Sequence, residues 1–174
     1  DLILVARRVE RMEALAKELE DKHKIQCKVI GADLTAPDFL DHLSQATESM
    51  EIGLLINNAG MAVNKAFHKR ELKYHERMLA LNAQAPMLLA HHYVQDMIER
   101  KRGGIIFTAS VSAFFSVPYV AHYAATKAYI LALAEGMNHE LKKKGVKVQA
   151  LCPGFTRTEM AEGIPDSPMM MQPE

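Results

Sequence analysis

A doubly wound α/β domain, with a parallel sheet covered by helices, is the fold class this sequence predicts. Two observations predict it. Short apolar runs alternate with longer amphipathic stretches along the chain, and strands that alternate with helices form parallel sheets. Each apolar run is also followed by small or polar residues: Arg7-Arg8, Asp33, Asn57-Asn-Ala-Gly60, Ser110, and Pro153-Gly154 with Thr156. In such sheets ligands bind outside the carboxyl ends of the strands. Turn residues at one strand end mean little, but five sets at the same edge mark a site.

The elements follow in order. Leu2 to Ala6 is continuously apolar, as expected of a strand covered on both faces. From Val9 to Lys24, Met12, Leu15, Ala16 and Leu19 recur at helical spacing. Gln26 to Ile30 reads as a second strand. Asp33-Leu-Thr-Ala-Pro37 reads as a turn and helix entry, with Thr35 as the cap. Phe39 to Met50 is helical, and Ile52 to Ile56 is a third strand. Leu72 to Leu81 is helical, Asn82 interrupts it, and Ala83 to Arg100 continues as a long helix. Gly103-Gly104 breaks that helix before a fourth strand, Ile105 to Ala109. A long helix is predicted over Tyr119 to Lys143, ended by Gly145, and a fifth strand over Val146 to Leu151.

Composition narrows the function. The chain has 174 residues, with 21 Lys and Arg against 21 Asp and Glu. That balance offers no field for nucleic acid or for an anionic membrane. No apolar run is long enough to span a membrane, and no signal peptide is present, so the expectation is a cytoplasmic protein. Cys27 and Cys152 make no disulfide framework or metal signature; each lies beside a predicted strand and reads as a buried thiol. His91 and His92 are adjacent on a predicted helix and cannot face one another, so no metal site is read there. The chain opens on Asp1 directly before an apolar strand, which reads as a piece of a longer protein.

The chemistry centres on Tyr123-Ala-Ala-Thr-Lys127. Residues four apart on a helix share a face. A free phenol loses its proton only near pH ~10. A neighbouring ammonium favours the phenolate and lowers that value, so the pair offers a group that gives or takes a proton at working pH. Ser110 lies thirteen positions before Tyr123, at the end of the fourth strand, where its hydroxyl is aimed at the tyrosine. A lone Y-x-x-x-K is ordinarily an amphipathic helix with a surface lysine. The company the motif keeps overturns that reading.

Asn57-Asn-Ala-Gly60, Ser110, Tyr123-x-x-x-Lys127 and Pro153-Gly154, in this order and at these spacings, resemble the short-chain dehydrogenase/reductase family. The resemblance runs to about Met160. The opening Val5-Ala-Arg-Arg8, followed by a Glu-Arg-x-Glu-Ala-Leu helix, is similar to the family's generic NADPH-linked bacterial members. It implies a Rossmann-like doubly wound parallel sheet. This chain would lack the first β-α unit, with its glycine-rich phosphate-binding turn, and the C-terminal strand. Residues 1–174 would be a single partial domain. Without the first strand, strand pairing would be interrupted at the centre of the sheet.

The resemblance also implies roles. Tyr123 is the general acid in carbonyl reduction and the base in alcohol oxidation. Lys127 lowers its pKa and binds the nicotinamide ribose, Ser110 holds the substrate oxygen (Ser112 being a weaker candidate), and Asn82 holds a water that relays protons. Asp33 and Leu34 contact adenine. Asn57, Ala59 and Gly60 pass beneath the adenosine ribose, and Pro153, Gly154 and Thr156 meet the nicotinamide. Arg7 and Arg8 favour a 2′-phosphate, hence NADP(H), with NAD(H) the weaker alternative.

The substrate is then a small carbonyl compound or secondary alcohol. Phe114, Phe115, Val117 and Phe155 would form an apolar wall for a lipophilic one. A homodimer or homotetramer is expected, packed through 83–100 and 119–143 with His91, Tyr93, Met97, Tyr129 and Leu133 on the shared face. Two other readings compete: a catalytically silent binding or regulatory protein on the same fold, and an isomerase or lyase of the family's extended branch.

Overall fold

A computed structural model describes residues 1–62 and 64–154. The chain forms two compact units, Asp1–Glu51 and the residues from Ile52 onward. All strand pairings among the described residues are parallel. The strands fall into two sheets, one of two strands and one of three.

In the first unit, β1 (Leu2–Ala6) pairs with β2 (Cys27–Gly31) in the register Leu2↔Cys27 to Ala6↔Gly31. Helix α1 (Val9–His23) buries Met12 and Ala16 and places Lys22 in its last turn, where a cation complements the helix dipole. It closes one residue earlier than the periodicity predicts, because Lys24 turns left-handed at φ 55°. Helix α2 (Phe39–Thr47) buries Phe39 and Leu43. Thr35 does not cap it. Its amide and hydroxyl both donate to Asp33 Oδ1, at 3.0 and 2.7 Å, so the pair makes an Asx turn just past β2.

The second unit carries β3 (Leu54–Asn57), β4 (Gly103–Thr108) and β5 (Val146–Leu151) in the order β3-β4-β5. Ile105, Phe107 and Val146 are buried in its core with Met78, Met97 and Ile130. Gly103 and Gly104, expected as a break, instead begin β4. Strand β3 lies at one edge of this sheet, and its apolar Leu54 and Ile56 are exposed.

Helix α3 (Leu72–Leu79) runs into a π-helical turn (Ala80–Gln84) and on into α4 (Ala85–Glu99). Asn82 lies within the π turn. The predicted interruption is thus a widened turn and not an end, and Pro86 follows directly in the first turn of α4. Helix α5 (Ala121–Leu141) packs on β4, β5, α3 and the π turn. It begins two residues later than predicted, because Tyr119 takes the left-handed φ of 72°.

Two expectations are corrected here. Cys27 and Cys152 are free but half-buried, since one opens β2 and the other lies just past β5. Tyr93 and Met97 are buried within their own chain, on the side of α4 that covers the sheet. That leaves His91, Tyr129 and Leu133 as accessible members of the expected oligomer face. No helix among the described residues is long and apolar enough to cross a membrane.

Gly145, between α5 and β5, has φ 80°, and a Cβ there would lie 2.1 Å from the Lys101 carbonyl oxygen. Both the conformation and the space require glycine. Gly145→Ala is expected to destabilise the protein by about 1–3 kcal/mol, read as a lowered urea midpoint with an unchanged slope.

Candidate active site

The site in the second unit is built from three neighbouring elements. Strand β4 ends at Thr108. Ala109 N–H donates to the Leu151 carbonyl at 2.7 Å and Val111 N–H to the Pro153 carbonyl at 3.0 Å, so the ends of β4 and β5 are stitched together. Ser110 is buried at this junction and caps a short 3-10 turn, Val111–Ala113, by accepting from Ser112 N–H at 3.2 Å. Helix α5 then brings in Tyr123 in its first turn and Lys127 one turn later.

The Ser110 hydroxyl lies beside the Tyr123 phenol. Burial raises the Tyr123 pKa above its ordinary value of 10.0, and the nearby Ser110 hydroxyl opposes that rise. The sequence led us to expect a phenol whose pKa is lowered by Lys127. The structure differs, and the reason is where the ammonium sits. Lys127 Nζ donates to the Thr108 carbonyl at 2.6 Å and lies 5.8 Å from the centroid of the Tyr123 ring. It therefore approaches the ring face. Burial lowers the Lys127 pKa to about 8, with the Cys152 thiol opposing that shift.

Asn82 does more than kink a helix. Its Oδ1 accepts from Met61 N–H and its Nδ2 donates to the Met61 carbonyl, both at 2.8 Å. This clamps the loop that follows Asn57-Asn-Ala-Gly60. Its Nδ2 also donates to Thr126 Oγ1 at 3.1 Å, and Thr126 Oγ1 donates to the Tyr123 carbonyl at 2.7 Å. A Cβ on Gly60 would meet Asn82 Oδ1 at 3.4 Å and Lys127 Nζ at 3.6 Å, so that glycine lies directly against the two polar groups. Asn57 Nδ2 is buried without a partner. The structure thus brings Ser110, Tyr123, Lys127, Asn82 and Gly60 together, with Pro153 at the junction beside Ser110. Gly154 is half-buried just beyond Pro153, and Ala59 is exposed.

Arg7, Arg8, Asp33 and Leu34 belong to the first unit, at the carboxyl ends of β1 and β2. Both arginines are exposed. Thr156 and Phe155 lie outside the described residues. Thr108 and Thr126 escaped the sequence reading. Thr126 had a signal available, since a hydroxyl inside a helix commonly bonds a carbonyl one turn back. The acceptor for Lys127 is a main-chain carbonyl of Thr108, which no side-chain pattern reveals.

A profile of the short chain dehydrogenase family matches residues 1–168. The chain belongs to that family. Its 7beta-hydroxysteroid dehydrogenase relative from Clostridium sardiniense is 34% identical over 91% of this chain and 60% of its own length. The bovine very-long-chain 3-oxoacyl-CoA reductase is 27% identical over 92% of this chain and 53% of its own. The chain therefore spans about half to three-fifths of these relatives. Among solved structures, a short-chain dehydrogenase from Sphingobium yanoikuyae in complex with NADPH is 36% identical with a TM-score of 0.92, over 99% of this chain and 69% of that one. The bulky-bulky ketone specific alcohol dehydrogenase from Comamonas testosteroni is also 36% identical, with a TM-score of 0.87 over 98% and 66%.

Proposed function

We propose that this chain serves an NADP(H)-dependent oxidoreductase that interconverts a carbonyl compound and its secondary alcohol. The observation that carries the reading is the Ser110 hydroxyl beside the Tyr123 phenol, with Lys127 buried one helical turn away. NADP(H), when bound, supplies or accepts the hydride. In reduction, Ser110 and Tyr123 hydrogen-bond the substrate carbonyl oxygen. As that oxygen gains charge, Tyr123 releases its phenolic proton to it, and the new C–H and O–H bonds complete the alcohol. The Ser110 hydroxyl stabilises the phenolate left behind. The raised pKa keeps Tyr123 protonated at neutral pH, the form an acid needs. Asn82 acts by holding Met61 and, through Thr126, the Tyr123 carbonyl.

The residues present suit a dinucleotide phosphate. Lys127 carries three donors, of which Thr108 takes one, and Gly60 lets a ligand approach beside it. Arg7 and Arg8 offer exposed guanidinium groups, suited to a 2′-phosphate. The NADPH complex of the 36%-identical relative supports the same choice. Exposed Phe114, Phe115 and Val117 follow Ser110. Together with the steroid and bulky-ketone enzymes among the relatives, they support a bulky lipophilic ketone as substrate.

The test is cofactor-dependent turnover by the whole protein with NADPH and a bulky ketone. Arg7→Asp combined with Arg8→Leu is expected to weaken NADPH binding by more than ~10-fold, about 1.4 kcal/mol, while NADH binding holds or improves. Equal affinity of the unmutated enzyme for the two cofactors would overturn the assignment of the arginines.

A further inference from the structure

We infer that His122, through its hydrogen bond to α3, is a positioning residue for Tyr123. The inference rests on Tyr123 being the proton donor. Tyr123 is the third residue of α5, inside the first turn, where backbone N–H groups lack intrahelical partners. The residue before that turn, Val120, makes no side-chain cap. An uncapped first turn frays, so something else must hold the phenol still.

Two side-chain tethers do so, and both end on the same segment. Thr126 and Asn82 form one, already described. The other is His122, which directly precedes Tyr123. Its Nε2 lies 3.1 Å from the His75 carbonyl oxygen. A carbonyl can only accept, so this nitrogen carries the proton. His75 Nε2 lies 3.1 Å from the Phe67 carbonyl oxygen and is protonated for the same reason. The three rings pack in series: Phe67 and His75 centroids are 4.5 Å apart, and His75 and His122 are 4.9 Å apart and nearly perpendicular.

His75 and Asn82 are seven residues apart, about two helical turns, and His122 and Thr126 are four apart, about one. The α3 and π-turn segment thus grips the first two turns of α5 at two points that bracket Tyr123. His75 is buried, and its Nδ1 has no partner. A buried, unpaired acceptor costs stability.

The test uses two substitutions in the whole protein. His122→Phe keeps an aromatic ring against His75 but has no N–H. His122→Gln keeps a donor near the position of Nε2. With NADPH and a bulky ketone, His122→Phe is expected to lower kcat by about tenfold with KM for NADPH unchanged, well inside the ~10²-fold that a 1 Å misplacement costs. His122→Gln is expected to restore most of the lost kcat. A second readout needs no substrate: NMR titration of tyrosine labelled at Cζ, with Tyr123 assigned from Tyr123→Phe. A loosened first turn hydrates the phenol, so in His122→Phe its pKa falls toward the ordinary ~10, and in His122→Gln it stays raised. Unchanged kcat and unchanged titration in His122→Phe would overturn the inference, and so would equal losses in both variants. An active Tyr123→Phe control would instead overturn the proton-donor reading on which the inference stands.

Discussion

Tyr123→Phe is expected to lower turnover by at least ~10² and up to ~10⁴, the usual worth of a positioned acid or base. The substitution keeps the ring and removes only the oxygen. NADPH affinity should change little, so the loss belongs to kcat. Single-turnover rates with NADPH and a bulky ketone measure the chemical step directly. Retention of more than about a tenth of the wild-type rate, against the ~10² loss expected, would remove Tyr123 from the role of acid.

Lys127→Met is expected to lose turnover and NADPH affinity together, and at the same time to stabilise the cofactor-free protein below pH 8. The ammonium is buried, and its pKa falls from 10.5 to about 8. Between those values the unfolded chain binds more protons than the folded one, so the contribution of Lys127 to stability rises with pH across that window. Below it the folded state carries the full penalty of a buried charge, about 1–3 kcal/mol at the usual worth of a pKa shift. Met fills similar space without the charge. The stability gap between variant and wild type should therefore be largest below pH 8 and shrink toward pH 10.5. Above pH 10 the raised Tyr123 pKa works the other way, because the unfolded chain then ionises its tyrosine first. Urea unfolding of both proteins from pH 6 to pH 10 checks this. A gap that does not narrow with pH would show that Lys127 is not the buried cation described here.

The order of elements was legible in the sequence because hydrophobic period decides it locally. Leu2–Ala6 and Val146–Leu151 stand where their apolar runs place them. So was the grouping of Ser110, Tyr123 and Lys127, because Asn57-Asn-Ala-Gly60 and Pro153-Gly154 accompany them and spacing puts Tyr123 and Lys127 on one helix face. The boundaries that slipped did so for backbone reasons that side-chain period does not report. Lys24 and Tyr119 turn left-handed, and Asn82 widens its helix into a π turn without ending it.

What only the tertiary structure decided is where each polar group finds its partner. Spacing put Lys127 on the face of Tyr123, yet the Thr108 carbonyl and the low dielectric around the ammonium set its position and its pKa. Thr35 looked like a cap until Asp33 claimed its hydroxyl. The same sequence pattern also left His75 and His122 unremarked, forty-seven residues apart. Their meeting depends on how α3 packs on α5, and hydrogen bonds to main-chain carbonyls across such a gap leave no periodic trace in a chain.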